Sequence, residues 1–155
     1  MRRSEIENAL VNCEFFKKLE KSKISKIASL CKMKTYESGA YVFRQGDAGK
    51  HLYVITKGHI TLERTVDLGV RKGSVIIETL GKGRVLGCWS TLLDSSHILL
   101  SSATCRKPTT VVSIKGADLR EMMTDNTELV FDILERLCFL LRDRIQAAYG
   151  AMERI

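Results

Sequence analysis

Proline, histidine and long apolar runs are scarce in this chain, with one Pro and three His in 155 residues, and each scarcity removes a class of protein. Hydrophobic residues make up 45% and charged residues 28%, against 11 Gly, so the composition is neither that of a disordered chain nor collagen-like. No apolar stretch approaches the roughly 18 residues that a membrane-spanning helix needs. Glu5, Glu7 and Asn8 interrupt the N-terminus before a signal-peptide core could form. A cytoplasmic protein with no membrane partner is expected. The five cysteines, Cys13, Cys31, Cys88, Cys105 and Cys138, are scattered and include no CxxC pair, which argues against a disulfide framework. His51, His59 and His97 do not join them at structural-zinc spacing, so no metal is expected.

The length suits one domain, 1–155, with one hydrophobic core. A net charge of +7 raises the question of nucleic acid, but its distribution weakens that reading. Residues 117–155 carry five basic and eight acidic groups, so the most helical part of the chain would repel phosphate. Direct nucleic-acid binding is not expected.

Ten of the 11 glycines lie between Gly39 and Gly116, which separates a turn-rich middle (35–116) from helix-like ends (1–34 and 117–155). At the start, Ser4 and Glu7 have capping-box spacing, and Ser22 precedes a second apolar helical pattern of Ile24, Ile27, Ala28 and Cys31. The middle predicts strands at 40–44, 51–56, 59–65, 75–80, 98–105 and 109–114, where Val, Ile, Thr and Tyr cluster between turn residues. Lys57-Gly58 is expected to make a tight hairpin. With no crossover helix between these strands, the fold class is mainly β with flanking helices, a double-stranded β-helix or jelly roll. An enzyme of the cupin type would need an HxH pair with a Glu and a further His, and that set is missing, so no catalytic residue is assigned.

A long helix is predicted from Thr127 to Tyr149. One stripe, Phe131, Leu134, Cys138, Leu141, Ile145, Ala148 and Met152, alternates steps of three and four. A second stripe begins Val130, Ile133, Leu137 and Leu140, then fades into Arg144, Ala147 and Ala151. One face can pack on the barrel. The other spans 22 residues, about 33 Å of helix, and a parallel homodimer through this seam is expected to cover it. The alternatives are a helix buried wholly within its own domain, since a helical stripe is more often core than interface, and a protein partner.

The order of elements and the segment from Phe15 through Gly46-Asp47, Gly49, Leu52-Tyr53-Val54-Ile55 and Gly58 resemble the cyclic-nucleotide-binding domain of the catabolite activator and fumarate-nitrate regulator family. The resemblance runs over roughly Phe15 to Arg144. It implies a β-roll whose ligand cassette opens with a Gly-Glu pair and closes with an Arg before two small residues, the Arg pairing with the cyclic phosphate and the Glu with the ribose hydroxyl. A guanidinium suits a phosphate because it can grip it bidentately. Here Gly87 fits the opening and Ser102-Ala103-Thr104 the close, but Cys88 or Trp89 stands at the Glu position and Ser101 at the Arg position. Losing such an Arg typically costs more than about 2 kcal/mol, more than thirtyfold in affinity.

The resemblance therefore implies a ligand-sensing or regulatory module with an altered pocket. Its candidate ligand residues are Gly87, Cys88, Trp89, Ser90, Thr91, Ser101, Ser102, Ala103 and Thr104. Backbone N–H groups at Gly87 to Ser90 and the hydroxyls of Ser101, Ser102 and Thr104 could still receive a small anion, with Arg106 or Lys107 reaching across. The open alternatives are a true cyclic nucleotide receptor with a rearranged pocket, and a haem or thiol redox sensor using Cys88 or Cys138. In the family a winged helix-turn-helix follows the long helix; the sequence ends at Ile155, about ten residues past the strongest part of the seam, and none is expected.

Overall fold

Strands in the middle of the chain alternate their side chains between two apolar environments, which sets the layering of the whole molecule. The computed structural model describes residues 2–87, 92 and 98–154. Its strands are β1 (Cys31–Tyr36), β2 (Tyr41–Phe43), β3 (His51–Lys57), β4 (Ile60–Asp67), β5 (Lys72–Leu80), β6 (Val85–Gly87), β7 (Ser102–Cys105) and β8 (Thr109–Lys115). The helices are α1 (Arg2–Val11), α2 (Lys21–Ala28), α3 (Gly116–Thr124) and α4 (Thr127–Met152). Two four-stranded sheets, ordered β1-β8-β3-β6 and β2-β7-β4-β5, face each other with every pairing antiparallel. This is a mainly antiparallel jelly roll with N-terminal helices and a long C-terminal helix.

The first sheet is apolar on both faces. Leu52, Val54, Val112 and Ile114 pack outward against Phe15, Phe16, Ile24, Ile27, Leu119, Ile133 and Leu137 of the helical layer. Ile55, Leu86 and Val111 point the other way and meet Phe43, Ile60, Leu62, Leu80 and Ala103 between the sheets. Each fully buried Leu, Ile or Phe contributes about 1.5–3 kcal/mol, so both clusters matter to stability.

Several local expectations are corrected. Cys31 opens β1, which pairs with β8 along Cys31–Ile114 to Tyr36–Thr109, so the last residues of the segment read as helical are a sheet edge. Lys57-Gly58 does not close a hairpin, because β3 and β4 lie in different sheets. It is a corner, and the β-hairpin is the next one, β4–β5, closed by a turn in which Leu68 N–H donates to the Arg71 carbonyl at 2.8 Å. Gly58 has φ +100°, and a Cβ there would sit 2.3 Å from Thr109 Oγ1, which is why the corner needs glycine. Ser4 lies inside α1, and α2 is capped at Glu20 without a side-chain bond, so neither serine is the N-cap. The 98–105 strand expected from the sequence holds only a bridge between Ile98 and Ala48 before β7 begins at Ser102, and β6 lies outside the expected strands.

Helix α4 starts where its sequence says. Asn126 Oδ1 accepts from Leu129 N–H at 3.0 Å, the N-cap bond that satisfies a free helix donor. Its inward stripe is the one that fades in the sequence: Ile133, Leu137, Leu140 and Ala151 are buried, and Arg144 on the same stripe is partly buried.

Candidate ligand cavity

Where α4 crosses the open end of the roll, the two sheets part and leave a cavity of about 430 Å³, within the range of small-molecule sites. Its walls are Phe43 of β2, Leu62 and Arg64 of β4, Ile77 of β5, Leu86 and Gly87 of β6, Leu99, Leu100 and Ser101 ahead of β7, and Leu141, Arg144, Ile145 and Ala148 of α4. Aliphatic side chains dominate. Two guanidinium groups face this space and no carboxylate does among the described residues.

Of the predicted ligand residues, Gly87 and Ser101 line the cavity. Gly87 has φ +128°, and a Cβ on it would lie 2.3 Å from the His51 carbonyl oxygen, so its role is to let β6 run close along β3. Ser101 stands on the wall where the family resemblance asks for an arginine. Ser102, Ala103 and Thr104 turn to other tasks. Ser102 Oγ accepts from Gln45 N–H at 2.9 Å, Ala103 is fully buried between the sheets, and Thr104 Oγ1 donates to Glu63 Oε1 at 2.8 Å. Cys88, Trp89, Ser90 and Thr91 lie outside the described residues. Arg106, a candidate to reach across, instead donates from Nε to Thr61 Oγ1 at 2.9 Å.

The two cavity arginines were missed in the sequence, and each left a trace there. Arg144 interrupts the buried stripe of α4, where a charged residue is unusual unless paired. Its Nη1 lies 3.3 Å from Glu78 Oε2, its Nη2 lies 4.0 Å from Glu14 Oε2, and Nη2 also donates to the Val85 carbonyl. Arg84 holds the same two acids, with Nε 3.0 Å from Glu14 Oε2 and Nη2 3.0 Å from Glu78 Oε1. Val85 N–H completes the cluster by donating to Glu14 Oε2 at 2.7 Å. Burial pushes the Arg144 guanidinium below its ordinary value against the pull of Glu78 and Glu14. At Arg84 burial acts the same way, but the two acids together outweigh it and the value rises. Both stay charged at neutral pH, as guanidinium groups do.

Arg64 differs. It is exposed, donates from Nη1 to the Leu100 carbonyl, and has no carboxylate at ion-pair distance among the described residues. Its trace in the sequence is the inward register it shares with Leu62 on β4.

The predicted seam divides in two. Leu141, Ile145 and Ala148 form the α4 wall of the cavity, while Phe131, Leu134, Cys138 and Met152 point to solvent. Phe131 is 63% exposed and Met152 61%, an unusual degree for such side chains on one helix face. Cys138 is the exposed thiol among the described cysteines, whereas burial pushes Cys13 up to about 11 and Cys31 up to about 12, values at which little thiolate exists. Among the described residues no group of three His, Cys, Asp or Glu could hold a metal, and no helix is long and apolar enough to cross a membrane. A second hollow of about 490 Å³ lies beyond Phe43 and Leu99, beside Asp47, Lys50, His51 and Tyr53.

Known proteins share this architecture. The chain is 25% identical over 155 residues to the cGMP-dependent protein kinase egl-4 of Caenorhabditis briggsae, which covers 99% of this chain and 18% of that protein. The chain thus spans less than a fifth of that relative's length. A cyclic nucleotide-binding domain from Methylobacillus flagellatus superposes with a TM-score of 0.78 at 19% identity, over 96% of this chain and 80% of the other. The regulatory subunit of a cAMP-independent protein kinase A from Trypanosoma brucei superposes with a TM-score of 0.73 at 19% identity, over 99% of this chain and 51% of the other. The sequence profile of the cyclic nucleotide-binding domain matches residues 33–126, from β1 to the start of α4. By that match, across well over half its length, the chain belongs to the cyclic nucleotide-binding domain family.

Proposed function

We propose that the chain is a non-catalytic sensing module whose cavity no longer takes cyclic AMP or cyclic GMP in the family's usual way and whose signal leaves through α4. The observation that carries this is Ser101, a neutral residue on the cavity wall, which the family resemblance aligns with the phosphate-pairing arginine. A buried phosphate without its guanidinium loses a charge-assisted bidentate contact. The Trypanosoma brucei relative, described as cAMP-independent, supports the idea that this fold serves regulation without that ligand. Because Leu141, Arg144, Ile145 and Ala148 form one wall, anything that fills the cavity changes how α4 sits on the roll.

The exposed half of the seam, Phe131, Leu134, Cys138 and Met152, is the surface through which a second copy would dock in parallel, a cytoplasmic homodimer of sensing modules. Calorimetric titration with cyclic AMP and cyclic GMP tests the reading. No heat of binding is expected at 100 μM nucleotide, and a micromolar dissociation constant for either one overturns it.

A further inference from the structure

The class of ligand can be read from the cavity walls. Seven of the lining side chains are branched aliphatics: Leu62, Ile77, Leu86, Leu99, Leu100, Leu141 and Ile145. Phe43 is the one aromatic and Ser101 the one neutral hydroxyl among the described lining residues. A purine brings several ring and exocyclic nitrogens that would lose water against these aliphatic walls, at about 1–3 kcal/mol for each one left without a partner. Hydrocarbon loses nothing of the kind and gains from leaving water.

Charge narrows the choice further. Arg144 is already matched by Glu78 and Glu14, but among the described residues Arg64 is matched by a neutral carbonyl alone. It lines the same cavity and stays exposed to solvent, which lets a charged head reach it while remaining partly hydrated. A cation in that position attracts an anion and repels an ammonium group.

We propose that the cavity binds a single-chain amphiphile with one anionic head, an alkyl carboxylate in its simplest form, with the chain among the aliphatic walls and the head on Arg64. This rests on the reading of the cavity as an altered sensing pocket and supplies the ligand class that reading leaves open. Arg64 is then the residue that sets specificity for an anion over a neutral or cationic amphiphile.

The test is calorimetric titration of the full chain with decanoate, decanol and decyltrimethylammonium, each below its micelle concentration, for the wild type, Arg64→Gln, Arg64→Lys and Ala148→Trp. Decanoate is expected to bind at least tenfold more tightly than decanol, and the ammonium not at all. Arg64→Gln should weaken decanoate at least tenfold and leave decanol unchanged, with Arg64→Lys recovering most of the loss. Ala148→Trp fills the cavity and should abolish decanoate binding, thermal melts confirming that each variant is folded. Equal affinity for decanoate and decanol, no effect of Arg64→Gln, or decanoate binding that survives Ala148→Trp overturns the proposal. If neither decanoate nor a cyclic nucleotide binds, the ligand class is wrong and the altered-pocket reading stands. Micromolar cyclic AMP binding removes that reading whatever decanoate does.

Discussion

Arg84 and Arg144 grip the same two carboxylates from different elements, and that redundancy predicts a non-additive pattern of stability. Replacing Arg144 by Met keeps the stem's packing and removes the contacts to Glu78 and the Val85 carbonyl. Hydrogen bonds to charged groups are worth about 1.5–3 kcal/mol, and Arg84 still neutralises both acids, so a loss of about 2 kcal/mol is expected. Arg84→Met should cost about 1 kcal/mol, because its side chain is 33% exposed and its ion pairs are partly screened by water.

Removing both arginines is different in kind. Glu14 and Glu78, 20% and 23% exposed, are then left together with no guanidinium between them. Breaking a buried pair outright costs about 3–5 kcal/mol, so the double variant should lose about 5 kcal/mol, roughly 2 beyond the sum of the singles. Urea unfolding of the four proteins of the cycle at neutral pH measures this directly. Additivity within about 0.5 kcal/mol, the behaviour of independent sites, would refute the shared-acid account.

Three further outcomes follow from other parts of the molecule. Gly58→Ala should lose at least about 2 kcal/mol in the same urea assay, since it combines a positive φ with a Cβ 2.3 Å from Thr109 Oγ1 and 2.7 Å from the Pro108 carbonyl. A dimer through the seam predicts that Phe131→Ser with Met152→Ser leaves the melting temperature within a few degrees but shifts the mass seen by light scattering to one chain. A mass unchanged by the pair places any association elsewhere. His51 carries the third: burial first, then Lys115, Lys34 and Lys50, hold its imidazole below the ordinary value of 6.5 against the opposing pull of Asp118. The unfolded chain therefore takes up the proton first as pH falls below 6.5, and His51 removes stability from there down to its folded value, after which the loss is constant. His51→Gln should flatten the stability profile across that acid window and leave it unaltered above pH 7.

Much of this architecture is legible because burial and period coincide. Leu52 and Val54 alternate with Tyr53 and Ile55, and both sets are apolar because β3 faces helices on one side and the second sheet on the other. The same double burial hides the corner at Gly58. Two strand-like runs around a glycine look identical whether the chain folds back on itself or crosses between sheets, and only the pairing of β3 with β8 and of β4 with β5 distinguishes them. β1 is hidden for a different reason: Cys31 continues the three-and-four spacing of Ile24, Ile27 and Ala28, so the start of CKMKTY reads as the end of a helix although Cys31 and Met33 alternate with the exposed Lys32 and Lys34.

The cavity shows the opposite asymmetry. A missing arginine at Ser101 is readable by comparison with a pattern, whereas the arginines that are present come from β4 and α4, which meet only through the fold. The long helix carries the clearest instance. Its stripe of Phe131, Leu134, Cys138, Leu141, Ile145, Ala148 and Met152 reads as one uniform seam, yet the roll ends partway along it and splits the stripe between solvent and cavity. A stripe that serves both surfaces at once ties them together: a rotation of α4 that tightens Leu141 and Ile145 on an occupant must also turn Phe131 and Met152, because all four ride on one rigid helix. On the proposed reading, occupancy of the cavity and the presentation of the outer face are coupled through α4.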